Sequence, residues 1–114
     1  MKTSCRILVS VPLLCLAVSA TSSLHAANAA TLWKNECAKC HGNDGRGDTK
    51  MGRKLLIGDL TDASLQAKFS DEEAAKAIKL GLKDAKGKVI MKEISGVSDE
   101  DIKALVAYVR SLKK

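Results

Sequence analysis

The sequence predicts a small all-α domain, and three observations carry that expectation. Apolar residues recur at helical spacing in three separate stretches, strict apolar–polar alternation over a strand's length is absent, and 114 residues leave room for one small domain. Hydrophobic residues make up 46% of the chain and charged residues 28%, a mixture compatible with a folded core. Aromatic residues are only 3%, with Trp33, Phe69 and Tyr108 standing alone. A core this poor in large side chains calls for support from a metal, a cofactor, a partner chain or disulfides.

The first helix is expected over Ala29–Lys39, which lacks Gly and Pro and carries Leu32, Trp33 and Cys37 on helical spacing. Ser70-Asp71-Glu72-Glu73 is a capping box, and the helix it opens is expected to reach Leu82, with Ala74, Ala75, Ile78 and Leu82 on one face. Gly81 weakens its end. Ser98-Asp99-Glu100-Asp101 opens the last helix with an acidic first turn that suits the helix dipole. Its apolar face is Ile102, Leu105, Val106, Val109 and Leu112, and Lys113 and Lys114 close it with the favourable sign. Trp33 and Tyr108 are expected as packing residues where the first and last helices cross. Gly45 and Gly47, in Asp44-Gly45-Arg46-Gly47-Asp48, are turn residues. A phosphate-loop reading of that stretch fails, because no strand precedes it and no Gly-Lys-Ser/Thr follows. No strand is expected anywhere.

Residues 1–26 read as a secretory leader and 27–114 as the domain. Lys2 and Arg6 precede an apolar run, Ile7–Val18, followed by a small-residue stretch, and no charged residue falls between Arg6 and Lys34. The run is short of the ~20 residues that span a bilayer as a helix, so no stable membrane span is expected after cleavage. Left uncut, the leader would tether the protein to the membrane. The cut is expected between residues 20 and 29, after Ala20, Ala26 or Ala29, with Ala26–Ala29 favoured because Ala20 leaves almost no polar region before the cut. Leu14 before Cys15 excludes a lipoprotein cysteine, which needs a small residue there. Cleavage removes Cys5 and Cys15, leaves Cys37 and Cys40, and makes His41 essentially the only histidine of the folded domain. The product is expected to be exported and periplasmic.

Cys37-Ala38-Lys39-Cys40-His41 is C-x-x-C-H, the attachment sequence for c-type haem. Two thiols three positions apart lie near one face of a helical turn, within reach of the two vinyl groups of one porphyrin. The next residue then projects its imidazole toward the iron. Three rival readings are weaker. A thioredoxin-like pair needs a surrounding βαβ pattern, a structural zinc needs a fourth ligand, and a disulfide across so short a loop constrains almost nothing. One haem c per chain also answers the poverty of the core, since a large flat macrocycle replaces the missing aromatic side chains. The haem-free chain is therefore expected to be largely unfolded or molten.

A six-coordinate iron needs a second axial ligand. Met91, fifty residues past His41, is favoured because the chain has had length to cross to the distal face; Met51, a lysine or no protein ligand are the alternatives. The packing reading of Met91, a core-filling thioether, is weakened by Lys88 and Lys92 around it. A His/Met pair raises the reduction potential relative to two histidines and leaves no open site for a substrate. No catalytic residue is expected.

Net charge is +6, and removing Lys2 and Arg6 from the 19 basic residues leaves 17 against 13 acidic ones, about +4. That balance is too mild and dispersed for nucleic-acid binding, and the stacking aromatics such proteins use are missing. It suits acidic docking surfaces on redox-partner proteins, toward which Lys39, Arg46, Lys50, Arg53, Lys54, Lys86, Lys88 and Lys92 would steer if they ring the exposed haem edge.

With these residues in place, the chain resembles the small class I c-type cytochromes. The matching residues run from Leu32-Trp33 through Cys37-Ala38-Lys39-Cys40-His41-Gly42 and Asp44-Gly45-Arg46-Gly47-Asp48 to Met91. They resume at Val97 and continue to Leu112, so the resemblance covers roughly residues 29–113. It implies a cytochrome c-like fold of three to five helices packed around one covalently bound haem. It implies thioether links at Cys37 and Cys40, His41 as proximal and Met91 as distal iron ligand, and shuttling of single electrons outside the cytoplasmic membrane. The alternative is a haem c subunit of a larger oxidase or dehydrogenase complex. Three residues depart from the family pattern. Lys92 follows Met91 where many relatives have proline, and Ala29 stands where a glycine often sits at the helix crossing. No proline follows the haem-binding segment, so a backbone carbonyl around Met51–Gly52 is expected to orient His41 through its second nitrogen.

Overall fold

A computed structural model describes residues 21–114. The basic residues and apolar run of the expected leader, with Cys5 and Cys15, lie outside the described residues. Helix α1, Thr21–Leu32, runs without a break into a π-helical segment, Trp33–Cys37, and then into α2, Ala38–His41. The helix expected over Ala29–Lys39 is therefore longer at both ends, because no Gly or Pro interrupts Thr21–His41. Its middle is not plain α-helix. The Ala38 N–H donates to the Trp33 carbonyl five residues back, the wider turn found often at functional sites.

The last helix, α6, spans Asp99–Ser111 and crosses α1. Ala29, Trp33, Ile102, Leu105, Val106 and Val109 are buried together there, with Ala29 and Leu105 each 1% exposed. Ala29 thus fills the crossing without a glycine. The rings of Trp33 and Tyr108 pack 5.4 Å apart at a 39° tilt, a separation at which aromatic pairs attract beyond their buried area. Ser98 caps α6 by accepting from the Asp101 N–H, and three acidic residues fill its first turn.

Between the crossing helices lie short elements. Helix α3, Lys50–Leu55, and α4, Ala63–Gln66, are too brief for periodicity to reveal, and each is set by a local cap, Thr49 and Asp62 respectively. Helix α5, Asp71–Leu80, has both halves of the capping box read from Ser70 and Glu73. It stops two residues before the expected end. Gly81 takes φ +72°, and a Cβ there would meet the Met91 carbonyl at 2.5 Å and the Glu93 nitrogen at 2.8 Å. Leu82 accordingly leaves the helical face and is 45% exposed.

Leu82–Lys83 forms β1, antiparallel to β2, Val89–Met91, with Leu82 opposite Met91. This hairpin corrects the expectation of no strand. Strands of two and three residues are too short for alternation to register. The turn between them is held by Asp84, whose carboxylate accepts from the Lys86 and Lys88 N–H groups. Among the described residues no helix is long and apolar enough to cross a membrane.

One polar cluster ties α4 and α5 to the last helix. Gln66, 3% exposed, donates from Nε2 to the Leu60 and Val109 carbonyls at 2.6 and 2.8 Å. Arg110 donates to the Asp71 carboxylate, the Gln66 carbonyl and the Phe69 carbonyl, and its guanidinium lies 4.6 Å from the centre of the Phe69 ring. The Val109 carbonyl belongs to the last turn of α6, where its backbone donor is the Leu112 N–H at 3.1 Å and its second lone pair is free for the amide. Gln66→Leu, which keeps the volume but leaves both carbonyls without this donor, is expected to cost about 1–3 kcal/mol. Urea unfolding of the haem-loaded protein measures it.

Candidate cofactor-attachment site

The residues of the C-x-x-C-H motif sit on the turn where the first helical run ends. Cys37 closes the π-helical segment and belongs to the buried core, while Cys40 and His41 follow on α2. Both thiols are free. Burial pushes the Cys37 thiol up to about 11, with Glu36 and Cys40 adding to the shift. Burial alone pulls His41 below the usual imidazole range, so its ring is neutral at pH 7, the form that ligates a metal. That ring lies 5.7 Å from the Trp33 ring.

The turn is pinned through three consecutive carbonyls. The Thr49 hydroxyl donates to the Cys40 carbonyl at 2.8 Å, the Gly47 N–H to the His41 carbonyl at 2.7 Å, and the Trp33 indole N–H to the Gly42 carbonyl at 3.1 Å. Thr49 is at the same time the N-cap of α3, accepting from the Gly52 N–H at 2.8 Å. Gly52 then lies directly against the turn, and a Cβ on it would fall 2.6 Å from the Cys40 carbonyl oxygen. One threonine thus starts a helix and anchors the attachment turn. Nothing in the spacing of the sequence singles out Thr49, although a Thr three residues before Gly52 is an ordinary N-cap signal.

The expected partner of His41 is not found. Its Nδ1 is buried and has no hydrogen-bond partner. The Gly52 carbonyl accepts from the Ile57 N–H at 2.9 Å, a bond that closes α3 back on itself. Of the two methionines, Met51 sits on α3 and is 36% exposed. Met91 ends β2 and packs, half-buried, against the core cluster that contains Cys37. The Ile94 N–H, donating to the Ile78 carbonyl at 3.0 Å, holds the segment after Met91 to α5.

Two unpaired thiols three residues apart, beside a neutral imidazole with an unpartnered buried nitrogen, fit covalent attachment and axial ligation of one iron porphyrin. Among the described residues, no group of three or more His, Cys, Asp and Glu side chains is placed to hold a bare metal ion.

The family described as Cytochrome c matches residues 26–113. The chain belongs to the cytochrome c family. Among solved structures, this cytochrome is similar to the KustC0563 c-type cytochrome, at 34% identity and a TM-score of 0.65, over 75% of this chain and 98% of that one. A tyrosine-to-phenylalanine mutant of the same protein matches over the same shares at 34% identity and a TM-score of 0.63. No curated protein matches the chain. The cytochrome carries covalently bound haem c.

Because Thr49 makes two bonds at once, Thr49→Val is expected to lower the stability of the haem-loaded cytochrome by about 1–2 kcal/mol, from the lost cap and the unpaired Cys40 carbonyl. Thr49→Ser restores most of it. Denaturant midpoints of the three proteins check both outcomes.

Proposed function

We propose that this cytochrome is a monohaem, one-electron carrier working between redox partners outside the cytoplasmic membrane, and that no residue of it is catalytic. In this reading Cys37 and Cys40 hold the haem by two thioethers, His41 is the proximal iron ligand and Met91 the distal one. The observation that carries it is the attachment turn, with two unpaired thiols and a neutral imidazole on a backbone pinned at three successive carbonyls. Bound haem supplies a single iron that gains and returns one electron. The chain supplies the rest. The tethers remove the macrocycle's freedom to leave or rotate, and burial keeps the imidazole unprotonated and available as a ligand. The hairpin offers a thioether on an element separate from the attachment turn.

Several features support a docking face for an acidic partner. Lys83, Lys86, Lys88 and Lys92 are exposed on and beside the hairpin that bears Met91, and among the described residues none of them pairs with a carboxylate. Leu82, Val89 and Ile90, exposed between these lysines, add apolar area at the same place. Charge of this kind speeds encounter with an acidic surface and is screened by salt. Export of the chain accords with the leader read in residues 1–26.

Cys37→Ser combined with Cys40→Ser is expected to yield an exported chain that loses its haem in an acid–acetone wash and shows little helix by circular dichroism. Haem that stays bound after the wash, detected as the pyridine haemochrome, or a fully helical double variant, contradicts the reading. Met91→Ala is expected to lower the reduction potential and abolish the far-red band that a thioether–iron bond gives the oxidised protein. Persistence of that band would assign the ligand elsewhere, with Met51 next in line.

A further inference from the structure

We propose that the leader is cut on the amino-terminal side of Asn28, so that Asn28 and Ala29 stay in the mature cytochrome. The proposal rests on the reading of residues 1–26 as a leader. It runs against the best small-residue motif of the region, Ala27-Asn28-Ala29, where cleavage would remove both residues.

The reason lies in what each side chain near the cut does in the folded protein. Leu24 is 75% exposed, and Ala26 and Ala27 are exposed as well. Ala29, two residues on, is 1% exposed and belongs to the buried cluster where α1 crosses α6. Asn28 donates from Nδ2 to Asp101 Oδ1 at 2.7 Å. Asp101 stands in the first turn of α6, and its other carboxylate oxygen accepts from the Ser98 hydroxyl that caps the same helix. Asn28 therefore joins the start of the first helix to the cap of the last. Its hydrogen bond is the largest cause holding the Asp101 carboxyl below its ordinary value, followed by those of His25 and Ser98.

A cut after Ala29 would take away the buried residue at the crossing, free the Asp101 carboxylate of its strongest partner and place the new α-ammonium three residues before Trp33. A cut after Ala20, Ala26 or Ala27 removes none of these. His25 distinguishes the upstream sites, through a 3.3 Å contact of its 44%-exposed ring with Asp101. Peptidase recognition reads the unfolded chain, and its local motif favours Ala29; the packing requires an upstream bond.

Intact mass and amino-terminal sequencing of the haem-loaded, exported cytochrome test this directly. A first residue of Thr21, Ala27 or Asn28 is the expected result, and a chain beginning at Ala29 or Ala30 overturns the proposal. A mass equal to the full chain overturns the leader reading itself, and with it any cut. A second experiment separates folding from peptidase preference. Chains made to start at Ala27 and at Ala30 behind one foreign leader are loaded with haem and melted. The Ala30 chain is expected to melt about 5 °C or more below the Ala27 chain, and equal melting overturns the proposal. In the Ala27 chain, Asn28→Ala is expected to lower the melting temperature at pH 7. Because the Asp101 carboxyl is depressed in the folded state, this deficit is fully present above about pH 4 and closes as pH falls through the depressed value. A deficit that is absent at pH 7, or unchanged in acid, counts against Asn28 as the link.

Discussion

The attachment turn has almost no backbone freedom of its own, because the carbonyls of Cys40, His41 and Gly42 are each held by a different donor. Thr49 and the Gly47 backbone, from the loop that follows, and the Trp33 indole, from the helix that precedes, supply those donors. An axial ligand must meet its metal within a few tenths of an ångström, and a side chain can be no more precise than the backbone that bears it. Much else is arranged to keep those donors in place. The π-helical segment carries Trp33, the glycine-rich loop returns Gly47, and α3 exists in part as the other half of the Thr49 interaction.

The crossing of α1 and α6 supports this turn from behind. Ala29 lets the two helices meet, and Trp33, one turn on, packs on Tyr108 while its ring nitrogen reaches Gly42. A single tryptophan therefore belongs both to the core and to the site, which ties the stability of the helix pair to the geometry of the turn. On the opposite flank, Gln66 and Arg110 donate to the carbonyls of Leu60, Gln66, Phe69 and Val109. In so small a core, poor in aromatic residues, buried polar bonds take over part of the task of fixing loop positions, which apolar contacts alone would leave loosely specified.

Helices with full periodicity and strong caps were legible in the chain. Ser70 and Glu73 announce α5, Ser98 announces α6, and the spacing Ile102, Leu105, Val106, Val109 marks the buried face. The attachment motif was legible for a related reason: its chemistry demands neighbouring residues, so its signal is local. What escaped was brief or set from a distance. The hairpin of Leu82–Lys83 with Val89–Met91 is too short to alternate. The end of α5 depends on how closely the Met91 carbonyl approaches Gly81. The imidazole partner expected near Met51–Gly52 is not there: His41 Nδ1 is buried without a hydrogen-bond partner.

By itself, the order of residues determined the helical class, the cysteine pair with its histidine and the family to which the chain belongs, since each depends on spacing within a few turns. Only the tertiary structure decided that Thr49 serves two sites at once, that Met91 rides on a hairpin and not a loop, and that Asn28 bonds to Asp101 at the start of the last helix. Those outcomes depend on contacts between residues distant along the chain, such as the 73 positions between Asn28 and Asp101, and no local pattern encodes a separation of that kind.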